Sequence, residues 1–232
     1  MANIAIVGKS GTGKSTSYGQ LPEIGIKGLN PKETVIINVT GKELRFRNWR
    51  EFYKDSISEN GNYLETSDAS IIIKAIKFIS DKKTDIKNIV IDDAQYIMAF
   101  EFMARAKEKS YEKYNDIGNK MYKLTETART SRRDLDIYFL WHPELDGNLE
   151  YKMKTIGKMV DNYLTLEGLF TVILYTKVIR DSEKGIIYQF VTNNDGEYPA
   201  NTPVGMFKDL YIPNDLGYVS EKIHEYYNIN QN

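Results

Sequence analysis

Short runs of consecutive apolar residues alternate along this chain with longer stretches of helical spacing. Residues 3–7 (NIAIV), 34–39 (TVIINV), 87–92 (KNIVID) and 136–141 (DIYFLW) are too short for helices and lack polar alternation, so each reads as a strand buried on both faces. Residues 170–178 and 186–192 pair as an antiparallel hairpin across a turn at 181–185. Ser67 or Asp68 can cap a helix with apolar positions at Ile72, Ile73, Ile76 and Ile79. Residues 95–133 predict a helical region broken near Asp116–Gly118. Further helices are expected from Lys14 (limited by Gly19 and Pro22), near 154–166 and near 219–227. Strands alternating with helices predict an α/β fold, a mostly parallel sheet with helices on both faces and a C-terminal antiparallel hairpin. No repeat or linker interrupts the pattern, so the 232 residues are expected to form one domain, with 193–232 as an irregular extension.

Composition narrows the chemistry. The chain has no cysteine, which excludes disulfide scaffolds, thiol catalysis and cysteine-ligated metal centres, and its two histidines, His142 and His224, are far apart. No apolar run reaches the roughly 20 residues of a membrane helix. The N-terminus has no basic region before its first glycines, so a soluble, cytoplasmic protein without membrane attachment is expected. A net charge of −1 leaves nucleic-acid binding only to local patches. Lysine outnumbers arginine 23 to 8, so clustered arginines carry more information than clustered lysines.

Residues 8–15, Gly8-Lys9-Ser10-Gly11-Thr12-Gly13-Lys14-Ser15, match the phosphate-loop pattern G-x-x-x-x-G-K-[ST] between a predicted strand and a predicted helix. Glycines let backbone N–H groups curl around phosphate oxygens, Lys14 would reach the β- and γ-phosphates of ATP, and Ser15 would ligate Mg²⁺. Thr16 completes the nucleotide-contacting stretch. The run ending in Asp92 and Asp93 supplies the acidic strand end that such loops require, Asp92 for the Mg²⁺ shell and Asp93 for water activation. Glu43, just past the second strand, competes for the water-activating role, and either aspartate could instead cap the following helix. His142, ending the 136–141 strand, is placed to sense the γ-phosphate. Lys152, Lys154 and Lys158 form a basic stretch suited to DNA or to a neighbouring subunit's ATP, with Lys154 and Lys158 on one helical face. Arg45, Arg47 and Arg50 with Phe46 and Trp49 suit a single strand. Arg129, Arg132 and Arg133 are the only arginines available for a nucleotide-kinase lid.

Taken together, residues 7–16 (VGKSGTGKST), 34–42, 89–98 (IVIDDAQYIM), 101–114, 154–176, 202–207 (TPVGMF) and 212–216 (IPNDL) resemble the phage-encoded, RecA-core "AAA family" ATP-binding proteins associated with single-strand annealing recombination. The resemblance implies a RecA-like P-loop ATPase that binds ATP and Mg²⁺ and acts on single-stranded DNA beside a phage or host single-strand-binding protein. It also implies a homo-oligomer working in the bacterial host cell, with DNA-contacting loops near 98–118 and 142–157. An ATP-dependent switch or loader for a replication partner is the alternative, and a nucleotide kinase is a third reading.

Overall fold

The computed structural model describes residues 3–57, 60–162, 164–183 and 185–228. The four apolar runs form β1 (Asn3–Val7), β2 (Thr34–Asn38), β4 (Asn88–Asp92) and β5 (Asp136–Trp141), every residue of which is buried. With β3 (Tyr63–Glu65), β8 (Val172–Asp181), β9 (Gly185–Val191) and β10 (Tyr211–Pro213) they make one sheet in the order β10-β9-β8-β1-β5-β4-β2-β3. The run from β8 to β3 is parallel, and β9 and β10 add antiparallel at one edge.

Alternation along the strands sends side chains to two cores. Val7, Ile37, Ile91 and Phe139 pack under α2 (Ala69–Lys82), α3 (Gln95–Ala104) and α4 (Glu112–Arg129). Ile6, Ile36, Val90 and Leu140 face the other way, toward α6 (Leu216–Tyr226), the one-turn α1 (Trp49–Phe52) and the side chains of Tyr18, Leu29 and Tyr53. Helices therefore cover both faces, although irregular chain does much of the covering on the second. The segment after residue 193 returns to the sheet, with β10 paired to β9 and Leu216, Val219 and Ile223 of α6 in the second core. Among the described residues no helix is long and apolar enough to cross a membrane.

Asp68 starts α2 by accepting from the Ser70 N–H at 2.7 Å, and Ile72, Ile76 and Ile79 are buried at the expected spacing. Three expected helices come out differently. The break in the 95–133 region falls at 105–111, not at 116–118. There Arg105 gathers Glu101, Glu108 and Asp116, and the Lys113 ammonium donates to the Glu108 carbonyl, so side chains close the connection while Gly118 stays inside α4. The expected helix over 154–166 is mostly absent. A hairpin of β6 (Pro143–Leu145) and β7 (Tyr151–Met153) precedes it, closed by Asp146 accepting from the N–H groups of Asn148 and Glu150. Only the four-residue α5 (Lys158–Asp161) and a 3-10 turn at Leu166–Leu169 follow. The third, expected from Lys14 after the phosphate loop, is a turn and not a helix.

The arginine clusters also resolve. Arg132 donates to the carbonyls of Ile79 and Lys83 at the end of α2, and Arg129 pairs with Glu126. Both lie near the start of β5, at the edge of the parallel sheet opposite the strand ends that carry the phosphate loop. A kinase-type lid is therefore not built from them. Phe46 packs edge-on to Tyr18, and Trp49 is buried against Tyr63, so these rings serve the core and are not presented for base stacking.

Beneath β10, Asp195 accepts from Lys177 at 2.8 Å, from the Tyr211 hydroxyl at 3.1 Å and from the N–H groups of Glu197 and Tyr198. Burial alone would raise its carboxyl, but these donors outweigh that effect and hold it at about 2. An unfolded aspartate titrates near 3.9, so the stabilisation is present above that pH and is lost as pH falls through about 2. Asp195→Asn should cost about 2 kcal/mol in urea denaturation at pH 7. The gap between variant and parent should narrow progressively from pH 4 downward.

Candidate functional site

Because β5 is inserted between β1 and β4, the C-terminal ends of all three strands meet at one edge of the sheet. The loop of residues 8–16, the Asp92-Asp93 pair and His142 are thereby brought together from separate parts of the chain. Gly8 anchors the loop by donating its N–H to the Trp141 carbonyl at 3.0 Å. A Cβ on Gly8 would stand 1.8 Å from Thr176 Oγ1, so only glycine fits between β1 and the neighbouring β8. Gly11 and Gly13 take φ of +78° and +90°, left-handed values that other residues adopt at a cost. Among the described residues, no N–H from Lys9 to Thr16 donates to a protein acceptor. This loop of unpaired donors is the property that an anion requires.

The chain beyond the loop makes one turn, with Ser17 N–H donating to the Gly13 carbonyl, and no helix. The carbonyls that would continue a helix are committed elsewhere. That of Ser17 accepts from Leu216 and that of Tyr18 from Leu29, while the Leu21 N–H turns to Ile26. The expected helix N-terminus aimed at the phosphates is thus replaced by backbone donors of the loop itself. Lys14 is buried, its Nζ folded back onto the carbonyls of Gly8 at 2.6 Å and Lys9 at 3.0 Å. Burial lowers its ammonium to about 8, against the pull of Asp93 and Asp92.

Asp92 and Asp93 diverge in direction and in charge. Asp92 points into the loop, accepting from Ser15 Oγ at 3.1 Å on Oδ1 and from the Tyr18 hydroxyl at 2.8 Å on Oδ2. Asp93 takes φ of +63°, which turns its carboxylate toward His142 Nε2 at 3.2 Å and Lys42 Nζ at 3.7 Å. Neither carboxylate caps α3, whose N-cap is Ala94. Burial and the adjacent Asp93 charge raise the Asp92 carboxyl. Burial presses on Asp93 as well, but His142, Lys42 and Lys14 outweigh it and leave that carboxyl below its ordinary value. Ser15 and Asp92 together offer a hydroxyl and a carboxylate oxygen, hard donors of the kind magnesium takes. No cluster of three or more His, Asp or Glu is assembled among the described residues, so a cation here would complete its shell with phosphate and water.

The other expected residues fall around this centre or outside it. Glu43 lines the cavity, with both oxygens engaged by Arg50 at 2.7 and 2.9 Å and one also by Trp49 Nε1 at 2.8 Å. Lys9 extends from the loop over the Tyr151 ring, 4.9 Å from its centroid. Lys152 is paired with Glu144 and Asp161, whereas Lys154 is exposed just past β7. Lys154 and Lys158 do not share a helical face, because Lys154 precedes the helix that Lys158 opens, and the Lys158 side chain lies outside the described residues.

Four residues with no assigned part in the motifs join the site. Tyr18 holds Asp92, Lys42 faces Asp93, Thr176 hydrogen-bonds Thr12, and Asn214 stands against Gly13 with its amide 3.4 Å from the Thr12 carbonyl. Lys42, Thr176 and Asn214 had a signal, as members of the 34–42, 154–176 and 212–216 stretches, and Tyr18 had none. Asp215, which follows Asn214, explains the 212–216 stretch, since its carboxylate caps α6 and accepts from the N–H groups of Lys27 and Gly28. Loop, acidic pair, His142, Lys42 and Asn214 enclose a cavity of about 600 Å³ whose rim adds Ile24, Ile26, Arg45 and Tyr188.

A family model described as an AAA domain matches residues 2–149. The chain belongs to the AAA domain family. No curated protein matches it. AAA domains are P-loop ATPases that use ATP and usually Mg²⁺. The matched part of this AAA domain carries the phosphate loop, the acidic pair and His142, while β8 and Asn214, which buttress the loop, come from beyond it.

The contact between Gly8 and Thr176 is directly testable. Gly8→Ala should destabilise the AAA domain by about 1–3 kcal/mol through overpacking. Thr176→Ala in the same chain should recover part of that loss, as read by thermal denaturation of the single and double variants.

Proposed function

We propose that this AAA domain hydrolyses ATP to drive a DNA recombination step on single strands, as a homo-oligomer beside a single-strand-binding protein in a phage-infected bacterial cell. One observation carries the reading. His142 bonds the Asp93 carboxylate and also opens the β6–β7 hairpin, which presents the exposed Lys154. In this reading the γ-phosphate sensor and the DNA-contacting ribbon are adjacent in the chain, which supports their coupling. The resemblance of residues 154–176, 202–207 and 212–216 to single-strand annealing ATPases supports the DNA half.

In this reading the loop N–H groups and Lys14 bind the phosphates, with the ammonium leaving the Gly8 and Lys9 carbonyls for the β- and γ-phosphate oxygens. Ser15 and Asp92 would hold Mg²⁺, which would supply neutralisation of the phosphate charge. Asp93 orients and deprotonates the attacking water, and His142 couples it to the hairpin. Asp93 is preferred over Glu43 for this role because both Glu43 oxygens are hydrogen-bonded by Arg50 or Trp49, whereas Asp93 is hydrogen-bonded on Oδ1 by His142 and Lys42 stands 3.7 Å from its Oδ2. The alternative, a slow ATP switch that loads a replication partner, draws on the restraint of Asp93 between His142 and Lys42, which must relax before water is activated.

Single-stranded oligonucleotide should raise the ATPase rate several-fold, and His142→Ala should abolish that stimulation while ATP binding persists. Absence of oligonucleotide binding at low salt, with or without ATP, would sink the DNA assignment and leave the switch. Lys154→Ala should weaken oligonucleotide binding and reduce the slope of log affinity against log salt by about 0.7. Lys152→Ala should instead perturb the hairpin, since Lys152 is tied to Glu144 and Asp161.

A further inference from the structure

Tyr18 follows Ser15 by three residues and belongs to neither motif. It is fully buried, its ring edge-on to Phe46 at 5.6 Å, in a surrounding where phenylalanine would pack as well. A buried tyrosine hydroxyl needs a partner, and here that partner is Asp92 Oδ2 at 2.8 Å. Ser15 donates to the other oxygen, Oδ1, at 3.1 Å. The two donors thus take one carboxylate oxygen each, and they differ in access. Ser15 is half-buried and lines the cavity, so its hydroxyl can exchange Asp92 for a cation. Tyr18 lies behind the carboxylate, outside the cavity lining, and has no such exchange open to it.

We infer that Tyr18 is a positioning residue for the metal: by holding Oδ2 from behind, it fixes the rotation of the Asp92 carboxylate so that Oδ1 faces the place where Ser15 would meet Mg²⁺. The inference rests on the nucleotide reading above and concerns metal recognition within it. Without the hydroxyl, Oδ2 is a buried acceptor with no donor, and the carboxylate turns to find one. Metal binding then includes the work of reorienting Asp92.

The test is Tyr18→Phe, which keeps the ring and its contact with Phe46. Binding of a fluorescent ATP analogue is measured in EDTA and across a Mn²⁺ titration, with Mn²⁺ occupancy read by electron paramagnetic resonance. The expected result is unchanged analogue affinity in EDTA and a half-saturating Mn²⁺ concentration raised about tenfold. Added to Asp92→Asn, Tyr18→Phe should produce no further change, because its effect passes through that carboxylate. An unchanged Mn²⁺ response overturns the inference, as does an equal loss in both backgrounds. So does a Tyr18→Phe chain that fails to fold, since the hydroxyl would then carry the fold and not the metal geometry. Absence of analogue binding by the parent protein, with and without Mn²⁺, overturns the nucleotide reading itself.

Discussion

A carboxylate at the end of a fully buried strand cannot remain without donors, and at the end of β4 two adjacent carboxylates meet that requirement in opposite ways. Asp92 continues the strand direction and takes the Ser15 and Tyr18 hydroxyls. Asp93, turned by a left-handed backbone, takes His142 and Lys42. Burial and the neighbouring Asp93 charge raise the Asp92 carboxyl, whereas at Asp93 burial is overcome by His142, Lys42 and Lys14 and the carboxyl is lowered. The loop, β5 and the segment after β2 are all drawn to the same edge of the sheet as partners of this pair.

The topology makes that convergence possible. Parallel strands place all their C-terminal ends on one side, and inserting β5 between β1 and β4 sets His142 beside the acids and not beyond them. The order also explains the steric demand on Gly8, because β8 flanks β1 on its other side and brings Thr176 against the loop. A second buttress, Asn214 with Asp215, fastens the loop and residues 27–28 to the start of α6. The phosphate loop is thus braced on two sides by parts of the chain far from it in sequence.

In the nucleotide loop Lys14 bonds the carbonyls of Gly8 and Lys9, while among the described residues the loop N–H groups have no protein acceptor. A lysine ammonium buried with only neutral oxygens as direct partners is poorly solvated, which is why its proton affinity falls. An anion in the loop would reverse that condition, supplying charge to the lysine and acceptors to the N–H groups at once. Binding and the release of an electrostatic penalty are therefore the same event.

The six longest strands, the start of α2 and the phosphate loop were legible in the sequence because each is decided locally, whereas the three-residue β3, β6, β7 and β10 are too short to carry a pattern. Continuous apolar runs of five or six residues, a capping aspartate before isoleucines at helical spacing, and glycines at turn positions act through neighbours in the chain. The elements that came out differently were decided by distant partners. Residues 14–18 fail to form a helix because Leu216 and Leu29 take their carbonyls, and residues 143–153 fold into a hairpin as Lys154 N–H continues onto the His142 carbonyl. Tyr18 carries no pattern that distinguishes it from any buried tyrosine, and the stretches that contain Lys42 and Thr176 do not say what either residue touches. By itself the sequence determined the six longest strands and where phosphate chemistry is possible, since backbone propensity and glycine sterics are local. Only the tertiary structure decided how the two aspartates divide their partners, because hydrogen-bond donors and charges act through space, whatever their separation along the chain.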